Sequence, residues 1–227
     1  LIVEADLFWA LTRIGDTQRA EKIGHLLLEH ARHAGQHTVF VNALIHMANT
    51  QIQRGDYTKG RASLLEALEQ GEGTPYMARI FNNLGNIERY EGQLDEALRR
   101  YRQAYELKLE EGDPIGTRIA LGNMGLMCFE LGRYPEALDS FTKSRHAAVE
   151  TGHLRGEAFS LLGLALLGLK SGALEYAKRR AQRAAEIAET LGDRVVVMKD
   201  GRVVAGGPTE KVLLQPQVFL QPQVLLQ

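Results

Sequence analysis

The 227-residue chain carries 27 Lys and Arg against 28 Asp and Glu, a formal net charge of -1, with 44% hydrophobic and 24% charged residues. That balance excludes a disordered or collagen-like chain, and near-zero charge leaves no general electrostatic pull toward nucleic acid or an anionic membrane. A single cysteine, Cys128, makes neither an internal disulfide nor a four-thiolate metal site, which points to a reducing, cytoplasmic compartment. The chain opens Leu1-Ile2-Val3-Glu4-Ala5-Asp6 without an initiator methionine, and acidic residues interrupt its first apolar stretch. No signal peptide or transmembrane start is expected, and the N-terminus reads as cut from something longer.

Glycines recur at Gly15, Gly55, Gly92, Gly132 and Gly172, at intervals of 40, 37, 40 and 40 residues. Each precedes a short polar stretch and an apolar helical pattern, so the chain is an internal repeat. Small residues stand at fixed offsets: Ala20, Gly60, Ala97, Ala137 and Ala177 after each glycine, and Ala48, Gly85, Gly125 and Ala165 before it, with Phe8 breaking the second column. Small residues on two successive helical segments let the backbones approach where they cross, so each repeat is read as a helix pair. The glycine closes the first helix by taking the left-handed conformation, which costs it no Cβ clash. Thr74-Pro75 and Pro135 mark helix starts, and Leu94, Ala97, Leu98, Tyr101, Ala104 and Tyr105, like Ala137, Leu138 and Phe141, form an inward stripe on second helices.

The segment Asn83-Leu84-Gly85-Asn86, Gly92-Gln93-Leu94-Asp95-Glu96-Ala97-Leu98 and Tyr101-Arg102-Gln103-Ala104, echoed by Gly132-Arg133-Tyr134-Pro135-Glu136-Ala137-Leu138, closely resembles the tetratricopeptide repeat. The resemblance covers residues 1–192 as five repeats (about 1–36, 37–73, 74–113, 114–153 and 154–192), clearest in the third and fourth; a 40-residue spacing against the family's usual ~34 implies longer helices. It implies an all-α, right-handed superhelical solenoid that serves as a non-enzymatic binding scaffold, with no cofactor. Similar long-period arrays occur in kinesin light chains, bacterial peptide-pheromone receptors and bacterial multidomain regulators.

Composition changes near Asp193, since residues 1–194 hold four valines and the last 33 hold eight. Val195-Val196-Val197-Met198 and Arg202-Val203-Val204, joined through Asp200-Gly201, read as a short hairpin. Residues 193–213 also resemble the C-terminal hairpin and following helix of ATP-binding-cassette ATPase domains. No Gly-x-x-x-x-Gly-Lys-Ser/Thr loop occurs, so nothing carries phosphate binding. Residues 214–227 form a Leu/Gln/Pro/Val tail, flexible or docked, in which Pro216 and Pro222 oppose a continuous helix.

In this family the first helices line the concave face, and the resemblance places groove residues at about the second, fifth, ninth, twelfth and thirteenth repeat positions. Counting back from the glycine at position fifteen gives Asn42, Ile45, Asn49, Ile52 and Gln53, then Arg79, Asn82, Asn86, Arg89 and Tyr90. The fourth and fifth repeats give Ile119, Gly122, Leu126, Phe129 and Glu130, then Phe159, Leu162, Leu166, Leu169 and Lys170. Asparagine amides both donate and accept along an extended peptide backbone, and arginines hold carboxylates bidentately. The other reading makes these residues solvated helix surface. The apolar C-terminal half is filled by a partner, covered by the tail, or buried between repeats.

His30, His33 and His37 are spaced like metal ligands, but Gly35 interrupts the helix and no carboxylate completes a set. Cys128 reads as a packed hydrophobe, and Lys178, Arg179, Arg180 and Arg183 as a solvated face among glutamates. The expected partner is a protein or peptide segment, with no nucleic acid and no membrane, and with homo-oligomerisation through the solenoid ends possible. Alternatives are a fragment related to an ATP-binding-cassette transporter subunit and a structural oligomerisation module.

Overall fold

The computed structural model describes the backbone of residues 1–191, 195–199, 202–207 and 224–226, and the side chains of 1–191 apart from residue 13. To residue 191 the chain is all helical: α1 (Ile2–Ile14), α2 (Thr17–His33), α3 (His37–Gln53), α4 (Tyr57–Gln70), α5 (Met77–Tyr90), α6 (Leu94–Glu110), α7 (Pro114–Glu130), α8 (Tyr134–Glu150), α9 (Leu154–Lys170) and α10 (Leu174–Thr190). Two compact units divide at residues 107 and 108.

The repeat glycines do what their spacing predicts. Gly15, Gly55, Gly92, Gly132 and Gly172 have φ between 74° and 78°. The residue after each donates its amide to a carbonyl five residues back, as in Gln93 N to Glu88 O (2.8 Å) and Arg133 N to Cys128 O (2.8 Å), which satisfies an orphan carbonyl of the helix end. A second glycine set, Gly35, Gly112 and Gly152, closes α2, α6 and α8 in the same conformation, while Gly73 takes it in the turn beyond α4. At helix starts, Asp16, Asp56 and Asp113 accept from the amides of Arg19, Lys59 and Gly116 (3.2, 3.1 and 2.9 Å). Pro135 lies in the first turn of α8 as expected.

Thr74 corrects one expectation. Its hydroxyl donates backward to Gly71 O (2.6 Å), so it closes the turn after α4, and α5 begins only at Met77. Both α4 and α5 are therefore 14 residues long, where neighbouring α3 and α6 have 17. The two helices lose six residues and the connection between them, 71–76, is three longer than that between α6 and α7, which together give the 37-residue interval.

Helix pairs lock through one column of facing residues, sixteen apart. Gly85 of α5 faces Tyr101 of α6, and Gly125 of α7 faces Phe141 of α8; a Cβ on either glycine would lie 2.8 or 2.9 Å from the opposing ring. In the first repeat the sizes are exchanged: Phe8 of α1 packs on Gly24 of α2, where a Cβ would be 3.0 Å from the ring. Phe8 is thus a compensated member of the column, fully buried with Ala20, Leu27 and Met47. Ion pairs add to this in unit 1: buried Glu88 of α5 sits 3.3 Å from Arg100 of α6 and 3.7 Å from Arg61 of α4.

Beyond α10, backbone pairing joins β1 (Val195–Lys199) to β2 (Arg202–Gly207) and to β3 (Val224–Leu226), antiparallel in the order β2-β1-β3. The expected turn at Asp200-Gly201, the helix before residue 213 and the course of 208–223 lie outside the described residues.

Candidate functional site

In unit 1 the first helices α1, α3 and α5 lie side by side, α3 touching both others. Between them is a cleft of about 390 Å³ lined by Trp9, Thr12, His46, Asn49, Ile52, Gln53, Asn86 and Tyr90. Its floor is aromatic, the His46 ring lying 5.8 Å from Trp9 and 6.0 Å from Phe8, and at its edge the exposed Tyr90 stacks on Tyr57 at 5.3 Å. The indole Nε1 of Trp9 is buried without a hydrogen-bond partner among the described residues.

Burial, and secondarily the Arg79 charge, push the His46 imidazole down to about 4 from its ordinary 6.5. His46 is therefore neutral at physiological pH, and its Nε2 accepts from Arg79 Nη2 at 3.3 Å. Because the unfolded chain takes up a proton near pH 6.5 and the folded one only near 4, stability contributed by neutral His46 is lost as pH falls through that window. Urea midpoints read by Trp9 emission should fall between pH 7 and pH 4.5 by more in the native chain than in His46→Gln.

Arg79 also donates through Nη1 to Asn42 Oδ1 (3.1 Å), and no carboxylate lies within ion-pair distance of it among the described residues. Burial lowers its pKa. Asn49 Oδ1 accepts from Asn83 Nδ2 (2.8 Å), and Asn86 Oδ1 accepts from the Tyr101 hydroxyl (2.8 Å). The asparagine row is thus a ladder whose carbonyl oxygens already serve the fold, while amide N–H groups of Asn49 and Asn86 remain as donors.

The groove residues read from the sequence fare differently. Asn49, Gln53, Asn86 and Tyr90 come together around the cleft. Asn42 is buried at 9% exposure beneath Arg79, and Asn82 is half-buried. Arg89 lies over the Tyr90 ring at 4.9 Å. Ile45 is fully buried in the core with Leu44, Ala48 and Ile80, so it faces the helix interface and not the groove.

In unit 2, Leu126, Leu162, Leu166 and Leu169 are half-buried, and Leu162 packs on Ala158, Leu161, Ala184 and Ile187. Phe129 is only 8% exposed, its ring 5.8 Å from that of Tyr134 at the start of α8. On α7 and α9 the exposed large apolar residues stand instead in the first halves of the helices, at Ile115 (49%), Ile119 (42%), Leu154 (37%) and Phe159 (39%). Burial between helices therefore accounts for much of the apolar C-terminal half.

Trp9 and Thr12 were within reach of the sequence, because counting back from Gly15 puts them at the ninth and twelfth positions. His46, Asn83 and Arg118 stand at none of the expected positions. Elsewhere, His30 Nδ1 meets Glu4 at 2.8 Å, and among the described residues no group of three or more His, Cys, Asp or Glu is placed to hold a metal ion. Among them, too, no helix is long and apolar enough to cross a membrane.

Residues 39–110 match the family model described as tetratricopeptide repeat. Residues 39–110 carry tetratricopeptide repeats. Comparison with curated proteins gives no match. Solved structures similar in fold include BtubC from P. vanneervenii (16% identity, TM-score 0.66, covering 82% of this chain and 76% of that one). The kinesin light chain TPR-like repeats of Podosopora anserina are similar too (15%, TM-score 0.65, 84% and 96%). So is PilF of Pseudomonas aeruginosa (18%, TM-score 0.65, 83% and 78%). These likenesses show the fold, and they lend no support to the resemblance of residues 193–213 to ATP-binding-cassette ATPases.

Proposed function

We propose that this tetratricopeptide repeat chain is a non-enzymatic scaffold that binds an extended segment of a protein partner along the first-helix face of unit 1. The reading rests on one observation: a cleft whose lining His46 is held by Arg79, where among the described residues Arg79 meets no carboxylate, the Trp9 indole has no acceptor, and the Asn49 and Asn86 amides retain donors. Donors without acceptors call for a ligand rich in carbonyl and carboxylate oxygen, which a peptide backbone with an acidic side chain supplies. Tyr90, Gln53 and Arg89 form its rim, Asn42 and Asn82 support it, and half-buried Leu126, Leu162, Leu166 and Leu169 offer apolar contacts in unit 2. Phe129 acts through packing.

We read the whole as the sensory or interaction part of a larger, cytoplasmic bacterial regulatory protein, with a C-terminal hairpin across Asp200-Gly201. Peptides selected from a displayed library against the full chain should lose affinity about tenfold or more for Asn49→Ala plus Asn86→Ala, since each buried donor to a peptide carbonyl contributes roughly 1 kcal/mol. Unchanged affinity in a double variant with native helicity contradicts the reading. A second reading, pairing of two copies, is favoured by the outward face of α1, where Val3, Leu7 and Ile14 are exposed. Light scattering across a concentration series separates a monomer from that dimer.

A further inference from the structure

Unit 2 holds a charge that its own fold does not answer. Arg118 of α7 is only 7% exposed, yet no described residue places an acceptor or a carboxylate within hydrogen-bond or ion-pair distance of its guanidinium, and its Nε is buried without a partner. The guanidinium rests on the first turn of α9: a Cβ on Gly156 would lie 2.8 Å from its Cζ and 2.9 Å from its Cδ, so glycine is what admits it. That turn is the positive end of a 17-residue helix. The adjacent acid gives no relief, because Glu157 faces Arg145 at 3.6 Å, and the Gly156 amide is already taken by His153 Nδ1 at 3.0 Å. Burial alone lowers the Arg118 pKa, with no opposing charge to raise it.

A guanidinium whose Nε is buried unpaired against a helix N-terminus destabilises the free chain unless an anion joins it. The surroundings say what kind of anion. On α7 the exposed Ile115 and Ile119 stand three residues before and one after Arg118, and on α9 the exposed Phe159 stands three after Gly156, its ring over Gly122 at 3.0 Å from a would-be Cβ. A free inorganic anion gains nothing from that apolar rim, whereas a carboxylate borne by an apolar peptide gains from both.

We infer that Arg118, seated on Gly156 and rimmed by Ile115, Ile119 and Phe159, is a single-carboxylate site for an apolar peptide segment of the partner. The inference rests on the scaffold reading and assigns to unit 2 a contact separate from the unit 1 cleft. The carboxylate is a peptide C-terminus or an Asp or Glu side chain.

The test uses the full 15N-labelled chain and three probes: acetyl-Leu-Phe-Leu as the free acid, the same peptide as its amide, and acetyl-Leu-Asp-Leu amide. At least one carboxylate-bearing probe should shift the Arg118 Nε–Hε resonance saturably and bind about tenfold or more tightly than the neutral amide. The first acid indicates a terminus, the third probe a side chain. The preference should vanish in Arg118→Met, and also in Gly156→Ala, whose methyl displaces the guanidinium. Equal binding of all three probes to the native chain, absence of saturable binding, or a preference that survives Arg118→Met overturns the assignment. Trp9, the only tryptophan, reports unit 1 independently, so a library-selected peptide that changes its emission keeps the scaffold reading standing when this site fails.

Discussion

Gly163→Ala should destabilise the protein by about 1–3 kcal/mol, although alanine is the better helix former by roughly 1 kcal/mol. A Cβ at position 163 would lie 2.5 Å from Cε1 and Cζ of Phe141 and 2.6 Å from Cε2. The ring has little room to retreat, because a Cβ on Gly125 would meet its Cδ1 and Cε1 at 2.9 Å, and the Phe159 ring stands 6.3 Å away. One phenylalanine is thus wedged between two glycines on successive first helices. Phe141→Ala removes the wedge and should cost about 3–5 kcal/mol. In that background the sign of the glycine substitution reverses: Gly163→Ala should stabilise by up to about 1 kcal/mol, since helix propensity then acts without a clash. Urea titrations of the four chains by circular dichroism measure the cycle, and additive effects would show that the ring and the glycine do not share the space described here.

Tyr101→Ala should be as damaging, about 3–5 kcal/mol, because the ring is 1% exposed and fills the space over Gly85. Tyr101→Phe keeps the ring and loses only the hydroxyl that holds Asn86 Oδ1 at 2.8 Å, which costs about 1 kcal/mol. The conservative variant has a second consequence. Asn86 lines the unit 1 cleft, so releasing its amide should weaken a bound peptide while leaving most of the stability intact. Denaturation and peptide titration of Tyr101→Phe together separate these effects; a loss of stability comparable to that of the alanine variant would contradict the packing account.

The helix pairs were legible because glycine at positive φ and small residues at crossings are requirements of the backbone, and such requirements repeat with the chain. Gly92 and Gly132 carry the information wherever they stand. Phe8 looked like a departure because a column of single residues hides the facing partner; read with Gly24 sixteen residues on, it keeps the summed volume while exchanging sides. Thr74 misled for a related reason, since a hydroxyl before proline can bond forward or backward and only the carbonyl of Gly71 decides.

The binding face was half legible. Counting positions found Asn49, Asn86 and Tyr90, and the same counting in the first repeat would have found Trp9. It could not show that Ile45 turns into the core or that Phe129 lies against Tyr134, because burial depends on how α3 meets its neighbours and how α8 begins. Nor does any local pattern announce His46 or Arg118. Their character comes from burial and from which charges are missing nearby, and both are properties of the assembled helices.

On the proposed function, the first-helix face of unit 1 takes up a peptide. The most direct measurement is a titration of the full chain with a library-selected peptide, followed through Trp9 emission in the native protein and in Arg79→Gln. Saturable change in emission, with affinity falling about tenfold or more in the variant, is the expected result. A peptide that binds tightly while Trp9 emission stays constant and Arg79→Gln binds as well as the native chain would place the partner elsewhere and contradict the account.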